Sequence, residues 1–427
     1  MKIRRIDNIE QDLKAFLASN LEDSQKYEQA VAEIGQEVKA RGDEAVFEFC
    51  RRFDQAPIGP DNFRVNDAEI DKAYELVDDD YIFALRTAID NISDFHRRQL
   101  RNSWMEPDER GNILGQVFRP LQRVGIYVPG GTAAYPSSVL MNAIPAQVAG
   151  VEQIVMVSPP DKNGTLNPYT LVAAAELGIG EIFKVGGAQA VFALAWGTDQ
   201  VKKVDLISGP GNIYVTLAKK MVYGDVNIDM LAGPSEILIV ADQKANPVYL
   251  AADMMSQAEH DVLARSILVT DNAELLDRVQ EQLVSQMASL ERREIIEKAL
   301  NSYGAFILVS DMHQACEVAN LVAPEHLELM VDKPFDYLSR IHNAGAIFMG
   351  SYTPEPVGDY FAGPNHILPT GGTARFYSPV TVDTFRKASS ILYYTAEGIN
   401  ADAEQIIKLA QVEGLTAHAN SVRVRVK

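Results

Sequence analysis

Short runs of apolar, mostly β-branched residues recur along the chain, and each is followed by a glycine or proline break and then by a helical stretch. Four such runs lie in the first part of the chain and five in the second: Val124–Val128, Ile154–Val157, Ile182–Val185, Leu206–Ile207, Ile237–Val240, Ile267–Val269, Phe306–Val309, Leu327–Val331 and Ala346–Met349. Continuous apolar strands are typical of parallel sheets that helices cover on both faces. The pattern therefore predicts an α/β fold with two doubly wound modules.

The remaining segments set the predicted domain boundaries. Residues 1–22 are predicted to form a helical arm, residues 23–122 and 236–380 one α/β domain, residues 123–235 the other, and residues 381–427 a helical tail. The tail ends in an alternating apolar and basic stretch that predicts a short strand. It lacks an obvious core of its own, so we expect it to pack on a second copy of the chain. A glycine- and proline-rich segment, residues 351–381, is predicted to be an active-site loop.

Composition narrows the classes of function. The 427 residues include 39 basic and 58 acidic ones, a net charge of −19, which disfavours nucleic-acid binding. No 18-residue stretch is apolar enough to suggest a membrane span, and the first residues do not resemble a secretory signal. The two cysteines, Cys50 and Cys316, are far apart and outside any CxxC motif, which excludes a disulfide framework and a thiolate-built zinc site. A cytoplasmic protein is predicted.

Glycine turns follow three of the predicted strands, at residues 130–132, 186–189 and 209–212. Neither GxGxxG after a strand nor GxxxxGK[ST] is present, so the common phosphate-binding fingerprints are absent. Each turn by itself is what a tight strand-to-helix connection requires. Because all three occur in one module, at the strand ends where open α/β sheets bind ligands, together they favour a binding role.

Histidines accompany carboxylates and amides in several segments. Gln257 and His260 stand three apart on a predicted helix and so project from one face. Together with Asp359 and His418 they would form a set of nitrogen and oxygen donors suited to zinc, with manganese or cobalt as alternatives. A solvated helix face explains the first pair equally well, and nothing in the spacing brings the four segments together.

Glu325 and His326 stand side by side where a predicted strand begins. Neighbouring strand residues face opposite ways, so both can serve one pocket only if Pro324 keeps them in an irregular turn. An imidazole suits general acid and base chemistry, and a neighbouring carboxylate suits activation of water.

Taken together, these segments resemble the histidinol dehydrogenase family over nearly the whole chain. The motifs that carry the resemblance are VGIYVPGG at 124–131, VGGAQA at 185–190, GPGN at 209–212, AGPSE at 232–236, SQAEH at 256–260, PEHL at 324–327, GDY at 358–360, GPNHILPT at 363–370 and LTAH at 415–418. A series this long, ordered and dispersed is highly specific. The two modules of this family resemble incomplete Rossmann units, which explains the missing GxGxxG.

The resemblance implies an enzyme that oxidises L-histidinol through L-histidinal to L-histidine with two NAD, the last step of histidine biosynthesis. It implies a domain of residues 123–235 that contacts NAD, a second α/β domain that holds metal and substrate, and a homodimer with a composite active site. The implied zinc ligands are Gln257, His260, Asp359 and the partner's His418. The implied NAD contacts are Tyr127, Gln189 and Asn212, and the implied substrate contacts are Ser235, His326, His366 and Glu413 together with the zinc ligands. Glu325 and His326 are the implied catalytic residues.

Three other functions remain open at this point. A sister dehydrogenase would share the zinc and Glu-His residues but oxidise another alcohol, such as a sulfonated diol; Glu413 and His366 argue against a sulfonate, which would favour arginine. A zinc hydrolase would use Glu325 as its base and need no NAD. A non-catalytic binding protein on two α/β modules is the third.

Overall fold

The computed structural model describes residues 3–6, 12–18, 24–130 and 134–426. Two parallel sheets organise this part of the chain. The first contains β4 (Arg123–Tyr127), β5 (Gln153–Ser158), β6 (Glu181–Lys184), β7 (Leu206–Ser208) and β8 (Asn227–Ile228), in the order β6-β5-β4-β7-β8. All of their pairings are parallel. The predicted strands of the first module are thus confirmed, and β8 is added to them.

The second sheet repeats this order. It contains β9 (Glu236–Ala241), β10 (Arg265–Thr270), β11 (Gly304–Leu308), β12 (His326–Met330) and β13 (Ala346–Met349), and a short strand from the start of the chain, β1 (Arg4–Ile6), extends it. The order is β1-β11-β10-β9-β12-β13, with every pair parallel. Apart from β1, each sheet therefore places its third, second, first, fourth and fifth strands side by side, the order of a doubly wound sheet.

Helices cover both sheets on both faces. They are α1 (Lys14–Ala18), α2 (Ser24–Arg41), α3 (Asp43–Phe49), α4 (Asp67–Glu75), α5 (Asp79–Arg97), α6 (Pro136–Ala149), α7 (Pro168–Glu176), α8 (Gly187–Trp196), α9 (Ile213–Val222), α10 (Pro247–Ala258), α11 (Ala273–Met287), α12 (Arg293–Tyr303), α13 (Met312–Val322), α14 (Phe335–Leu338), α15 (Glu355–Tyr360), α16 (Ala396–Val412) and α17 (Thr416–Arg423). The predicted α/β fold is confirmed.

Local sequence explains where many helices begin. Side-chain oxygens of Asn or Asp accept backbone N–H bonds at the first turn of α4, α5, α7, α9, α10, α11 and α13. Proline follows that cap in α7 and α10, where its missing N–H costs nothing. Strand residues alternate between two cores: Val155 and Val157 face α8 and α9, whereas Met156 faces α6 and α7. Within the described residues, every helix is too short or too polar to cross a membrane.

A third, antiparallel sheet was not predicted. It joins β2 (Trp104–Pro107) and β3 (Ile113–Pro120) to β14 (Arg386–Tyr393) in the order β14-β3-β2. The predicted tail thus begins with a strand before it becomes helical. The strand predicted at the end of the chain is wrong, because the helix α17 runs on to Arg423. There the hydrogen bonds within the helix prevail over an alternation of only a few residues.

The segments before the first sheet pack mainly on that sheet. Core residues of α2 and α3 lie against β5, β6 and α8, and α5 lies against α6. The predicted boundaries placed residues 23–122 with the other α/β domain; they stay a prediction, and these contacts favour the first module for this segment. Of the predicted helical arm, residues 4–6 form β1 and residues 14–18 form a helix, whereas 1–2, 7–11 and 19–22 lie outside the described residues, as do Gly131 and Thr132 of the first glycine turn.

Candidate active site and dinucleotide groove

The residues predicted to perform catalysis lie at the amino-terminal edge of the second sheet. His326 is the first residue of β12, and Ser235 immediately precedes β9, the neighbouring strand. Gln257 lies in the last turn of α10, and Asp359 lies on α15 within the predicted active-site loop. Four segments that are distant in sequence are thus brought to one edge of one sheet. Residues 351–381, the predicted active-site loop, contribute Asp359 to this edge.

His326 is buried, and a hydrogen bond from its Nδ1 atom orients the imidazole ring. Its Nδ1 lies 3.1 Å from the backbone carbonyl oxygen of Glu236, and because a carbonyl only accepts, Nδ1 carries the proton. Its Nε2 is buried without a hydrogen-bond partner and lies 3.8 Å from Asp359 Oδ1 and 3.9 Å from Glu355 Oε1. Burial lowers the pKa of His326 to about 3. The free Nε2 is therefore a neutral base that faces carboxylates.

Glu325 lies beside this imidazole in the turn that precedes β12. Ala323, the residue that ends α13, has a positive φ of 52°, so the chain turns sharply before Pro324. The Glu325 Oε2 atom accepts the backbone N–H of Glu236 at 2.9 Å and lies 3.6 Å from His326 Nδ1. Burial raises the pKa of Glu325 well above its usual value. The irregular turn expected around Pro324 is present, and both side chains lie at one site.

His260, Glu355 and Asp359 form a group of potential metal ligands. Their donor atoms all lie within 4.8 Å of one another. Among the described residues, this is the group of histidine and carboxylate side chains that could hold a metal ion. Burial raises the pKa of Asp359 to about 7, and burial together with neighbouring carboxylates raises that of Glu355 well above its usual value. Glu355 is buried, Asp359 is half-buried and His260 is exposed. Acceptors held this close together without a cation are electrostatically costly, and a divalent ion would relieve this cost.

The amide of Gln257 completes this group. Its outer end approaches His326 Nδ1 at 3.0 Å and the two Glu355 carboxylate oxygens at 3.1 and 3.3 Å. The amide nitrogen would suit the carboxylate but would meet the protonated Nδ1 of His326, a second donor. The amide oxygen suits Nδ1 but meets the carboxylate. A cation between the amide oxygen and the carboxylates would resolve the conflict, so the donor set fits a metal ion.

His366 closes a cavity next to the metal-ligand group. Its Nδ1 donates to the backbone carbonyl of Asp359 at 3.0 Å, and burial lowers its pKa to about 4. The cavity has a volume of about 300 Å³, and Asp359, His366, Phe348 and Asn365 are among its lining residues. A neutral imidazole and a carboxyl at one end of a mostly apolar cavity suit a small polar ligand.

The two site residues predicted in the tail do not join this group within the chain. Glu413 ends α16 and His418 lies on α17, and both are exposed. His418 is not part of the group formed by His260, Glu355 and Asp359. Much of the surrounding surface is apolar and exposed, with Leu409 at 68% and Val412 at 74%. The chain by itself therefore gathers three of the four predicted zinc ligands.

The three residues predicted to contact NAD line one groove at the carboxyl-terminal edge of the first sheet. Tyr127 ends β4, Gln189 lies in the first turn of α8, and Asn212 caps α9. The groove has a volume of about 1220 Å³ and runs between the glycine turns and the helices α2 and α3. The Tyr127 hydroxyl accepts the N–H of Gly187 at 3.0 Å, and the Gln189 Oε1 atom is buried without a partner. A groove of this size suits an extended ligand.

Sequence reasoning missed Glu355, which is 1% exposed and central to the ligand group. Glutamate in a glycine- and proline-rich segment is usually solvated, so composition gave no reason to select it. Its position between two prolines, four residues before Asp359, was the available signal, because that spacing places both carboxylates on one face of a helical turn.

Comparison with known proteins agrees with this geometry. The sequence profile of the histidinol dehydrogenase family matches residues 17–426. The chain belongs to the histidinol dehydrogenase family. Histidinol dehydrogenase of Heliobacterium mobile is 56% identical over 416 residues, covering 97% of both chains, and that of Carboxydothermus hydrogenoformans is 57% identical over 399 residues, covering 93% of this chain and 94% of the other.

A solved histidinol dehydrogenase structure, from Elizabethkingia anophelis, superposes with a TM-score of 0.94 at 38% identity and covers 99% of this chain and 98% of that chain. The resemblance drawn from dispersed motifs is thereby confirmed, as is the prediction of an oxidoreductase. Both cysteines are buried and free.

Proposed function

We propose that the chain is a zinc-dependent, NAD-linked enzyme that oxidises L-histidinol through L-histidinal to L-histidine with two NAD. The observation that carries the proposal is the unpartnered, neutral Nε2 of His326, which faces the ligand group of His260, Glu355 and Asp359. A base aimed at a site that also fits a metal ion suits repeated oxidation of one oriented substrate.

His326 takes a proton in each of the two oxidations. In the first, Nε2 accepts the proton of the alcohol as a hydride leaves the carbon. After that proton has passed to solvent, Nε2 accepts a proton from the aldehyde hydrate in the second oxidation, as the second hydride leaves to another NAD. The hydrogen bond from Nδ1 to the Glu236 carbonyl holds the ring in the same tautomer for both steps. Nearby carboxylates stabilise the imidazolium that forms.

Glu325 activates the water that hydrates the aldehyde between the two oxidations. Its Oε2 is held by the Glu236 N–H, which orients the carboxyl beside His326. Because burial raises the pKa of Glu325, this side chain takes up a proton more readily than an exposed glutamate. The two neighbouring residues thus have separate roles: His326 accepts protons, and Glu325 activates water.

Gln257, His260 and Asp359 would hold zinc, with manganese or cobalt as substitutes, and the partner's His418 would complete the set. Bound zinc would orient the amino group and imidazole of the substrate without contacting the reacting hydroxyl. Ser235, His366 and the partner's Glu413 would surround the substrate. An alcohol that lacks an imidazole would leave the Glu413 carboxylate without a partner, so the site favours the imidazole substrate. Tyr127, Gln189 and Asn212 would hold NAD, the hydride acceptor, in the groove of the first module.

The tail supports a homodimer with a composite site. Only Gly398 and Ala403 of α16 are buried, whereas large apolar side chains of the tail face outward. An exposed apolar surface of this kind suits an interface. Because Glu413 and His418 lie on the same exposed segment, docking of that segment on a second copy would deliver both residues to the partner's site.

Mixing two inactive variants tests the composite site. His418→Ala removes the tail residue, and Asp359→Asn damages the main site. In a heterodimer of the two, one of the two sites combines an intact main part with an intact tail, so the heterodimer is expected to have about half of the wild-type activity and an equal, randomly reassembled mixture about a quarter. Pure homodimers of either variant provide the control. If mixing restores no activity, His418 acts within its own chain and the shared site is wrong.

The stoichiometry of the reaction tests the proposed function as a whole. Zinc-loaded protein with limiting L-histidinol and excess NAD is expected to produce two NADH per histidinol. Chelation should abolish the reaction and zinc should restore it. One NADH per substrate would contradict the four-electron reaction. No NADH from folded, zinc-loaded protein would mean that the site acts on another alcohol or performs hydrolysis.

A further inference from the structure

Asp54 is a half-buried carboxylate in the dinucleotide groove that none of the roles above uses. It is the last residue of a π-helical turn, Cys50–Asp54, that extends α3, and the next residue, Gln55, has a positive φ of 55°. Together with Tyr127 and Gln189 it lines the groove. Its Oδ2 atom is buried without a hydrogen-bond partner among the described residues.

No side chain of the described residues forms an ion pair with this carboxylate. Burial raises the pKa of Asp54 to about 6. Arg41, Arg52 and Lys162 line the same groove, but none of them pairs with Asp54. Arg41 binds Glu37 and Glu48, Arg51 donates to the carbonyl of Ile58, and Arg52 lies 5.3 Å over the Phe53 ring. A buried acceptor in a ligand groove that lacks a protein partner requires donors from the ligand.

Asp54 lines the groove together with Pro159 and Pro160, the two residues that follow β5, and this position indicates which part of a dinucleotide it meets. In sheets with this strand order, the adenosine ribose lies near the carboxyl end of the second strand, where an acidic residue binds its hydroxyls. Here the second strand is β5, and Pro159 and Pro160 follow it without an acid. The next acid, Asp161, already accepts hydrogen bonds from Asn163 and Thr165 within its own loop.

We propose that Asp54 binds the 2′- and 3′-hydroxyls of the adenosine ribose and thereby selects NAD over NADP. The acid reaches the groove from the helical segment that precedes the sheet, instead of from the end of the second strand. Two hydroxyls supply the donors that Oδ2 lacks, whereas a 2′-phosphate would place a dianion against an uncompensated carboxylate. This inference rests on the use of NAD proposed above and adds the discrimination between the two cofactors.

Calorimetric titration with ADP-ribose and with 2′-phospho-ADP-ribose tests the role of Asp54 without catalysis. Wild-type protein is expected to bind ADP-ribose at least about tenfold more tightly than the phosphorylated ligand. Asp54→Asn should weaken ADP-ribose binding by about 10- to 100-fold and bring the two affinities together, because a charge-assisted pair of hydrogen bonds is lost. Asp61→Asn, which removes the same charge from an exposed loop residue outside the groove lining, is the matched control and should change neither affinity.

A second variant distinguishes loss of the Asp54 charge from loss of the folded structure. Asp54→Glu keeps the charge but moves it by one methylene, so it should still reject the 2′-phosphate while binding ADP-ribose more weakly; circular dichroism verifies the fold of both variants. Equal affinity of Asp54→Asn and wild type for each ligand, or an equal loss for both ligands, would overturn the inference. If the wild-type protein binds NAD and Asp54→Asn is unchanged, only this inference fails. If the wild-type protein binds neither NAD nor ADP-ribose, the proposed use of NAD fails with it.

Discussion

The two parallel sheets share one strand order but present opposite edges to their ligands. The first forms its groove at the carboxyl ends of β4 and β7, the usual position in open α/β sheets. The second gathers its reactive residues at the amino ends of β9 and β12. A strand order therefore does not determine by itself which edge of a sheet becomes a site.

The two edges also differ in how their buried charged side chains are paired. In the first module, the buried Lys219 pairs with the buried Asp229, and this pair holds both backbone groups of Gly209 in the turn. In the second module, the buried Arg265 pairs with Glu236 at the start of β9, but Glu325 and Glu355 are buried without a lysine or arginine partner among the described residues, and the pKa of each is raised. One edge is a fixed binding surface; the other is a set of acids and imidazoles that only a metal ion and a substrate would balance.

Replacement of His326 should have the largest effect. His326→Asn removes the base at Nε2 and is expected to slow both oxidations by about 10²- to 10⁴-fold, since proton transfer occurs in each. Stopped-flow measurements that start from histidinol and from histidinal check both steps. NAD affinity should be unchanged, because the groove belongs to the other module. A large loss of NAD binding would show that the two edges are not independent.

Breaking the buried ion pair tests the first module. Lys219→Met leaves Asp229 buried without a partner and should lower the free energy of unfolding by about 3–5 kcal/mol. Chemical denaturation measures this change. Lys220→Met, an exposed neighbour paired with Glu28, is the control and should cost less than about 1 kcal/mol. A similar small loss for Lys219→Met would mean that the turn at Gly209 does not depend on the pair.

Glu325→Gln should separate the two half-reactions. The amide oxygen can still accept the Glu236 N–H, so the geometry is preserved while the base is lost. Oxidation of histidinol to histidinal should be spared, and oxidation of histidinal should slow by about 10²-fold. Single-turnover kinetics from each starting compound measure both rates. Equal losses in the two half-reactions would contradict the separate roles of Glu325 and His326.

Substitutions of Asn212 should have the smallest effects. Two variants distinguish its role as the cap of α9 from its proposed role in binding NAD. Its Oδ1 accepts the N–H groups of Tyr214 and Val215, while its Nδ2 is available to a ligand. Asn212→Asp keeps the cap and should weaken NAD binding a few-fold without loss of stability. Asn212→Ala should weaken binding similarly and also cost about 1 kcal/mol of unfolding free energy. Unchanged NAD affinity in both variants would remove Asn212 from the binding site.

The sequence predicted the sheets better than the surroundings of the site. Apolar runs located the strands because burial on both faces leaves a local signal, and dispersed motifs located His260, His326 and Asp359. The strand β14 escaped notice because its residues are largely exposed and its pairing with β3 is decided far away in sequence. Glu355 and Asp54 escaped because their burial follows from packing between distant segments, which no local pattern records.

The strand β1 has a consequence for how the chain reaches its final form. Arg4 pairs with Ala305, about 300 residues further along the chain, and Ile3 packs into the core of the second sheet. During synthesis at roughly 5–20 residues per second, the first strand made would wait on the order of 15–60 seconds for its neighbour. β1 can therefore dock only after about 300 further residues have been made, and until then its backbone hydrogen-bonding groups lack their strand partner.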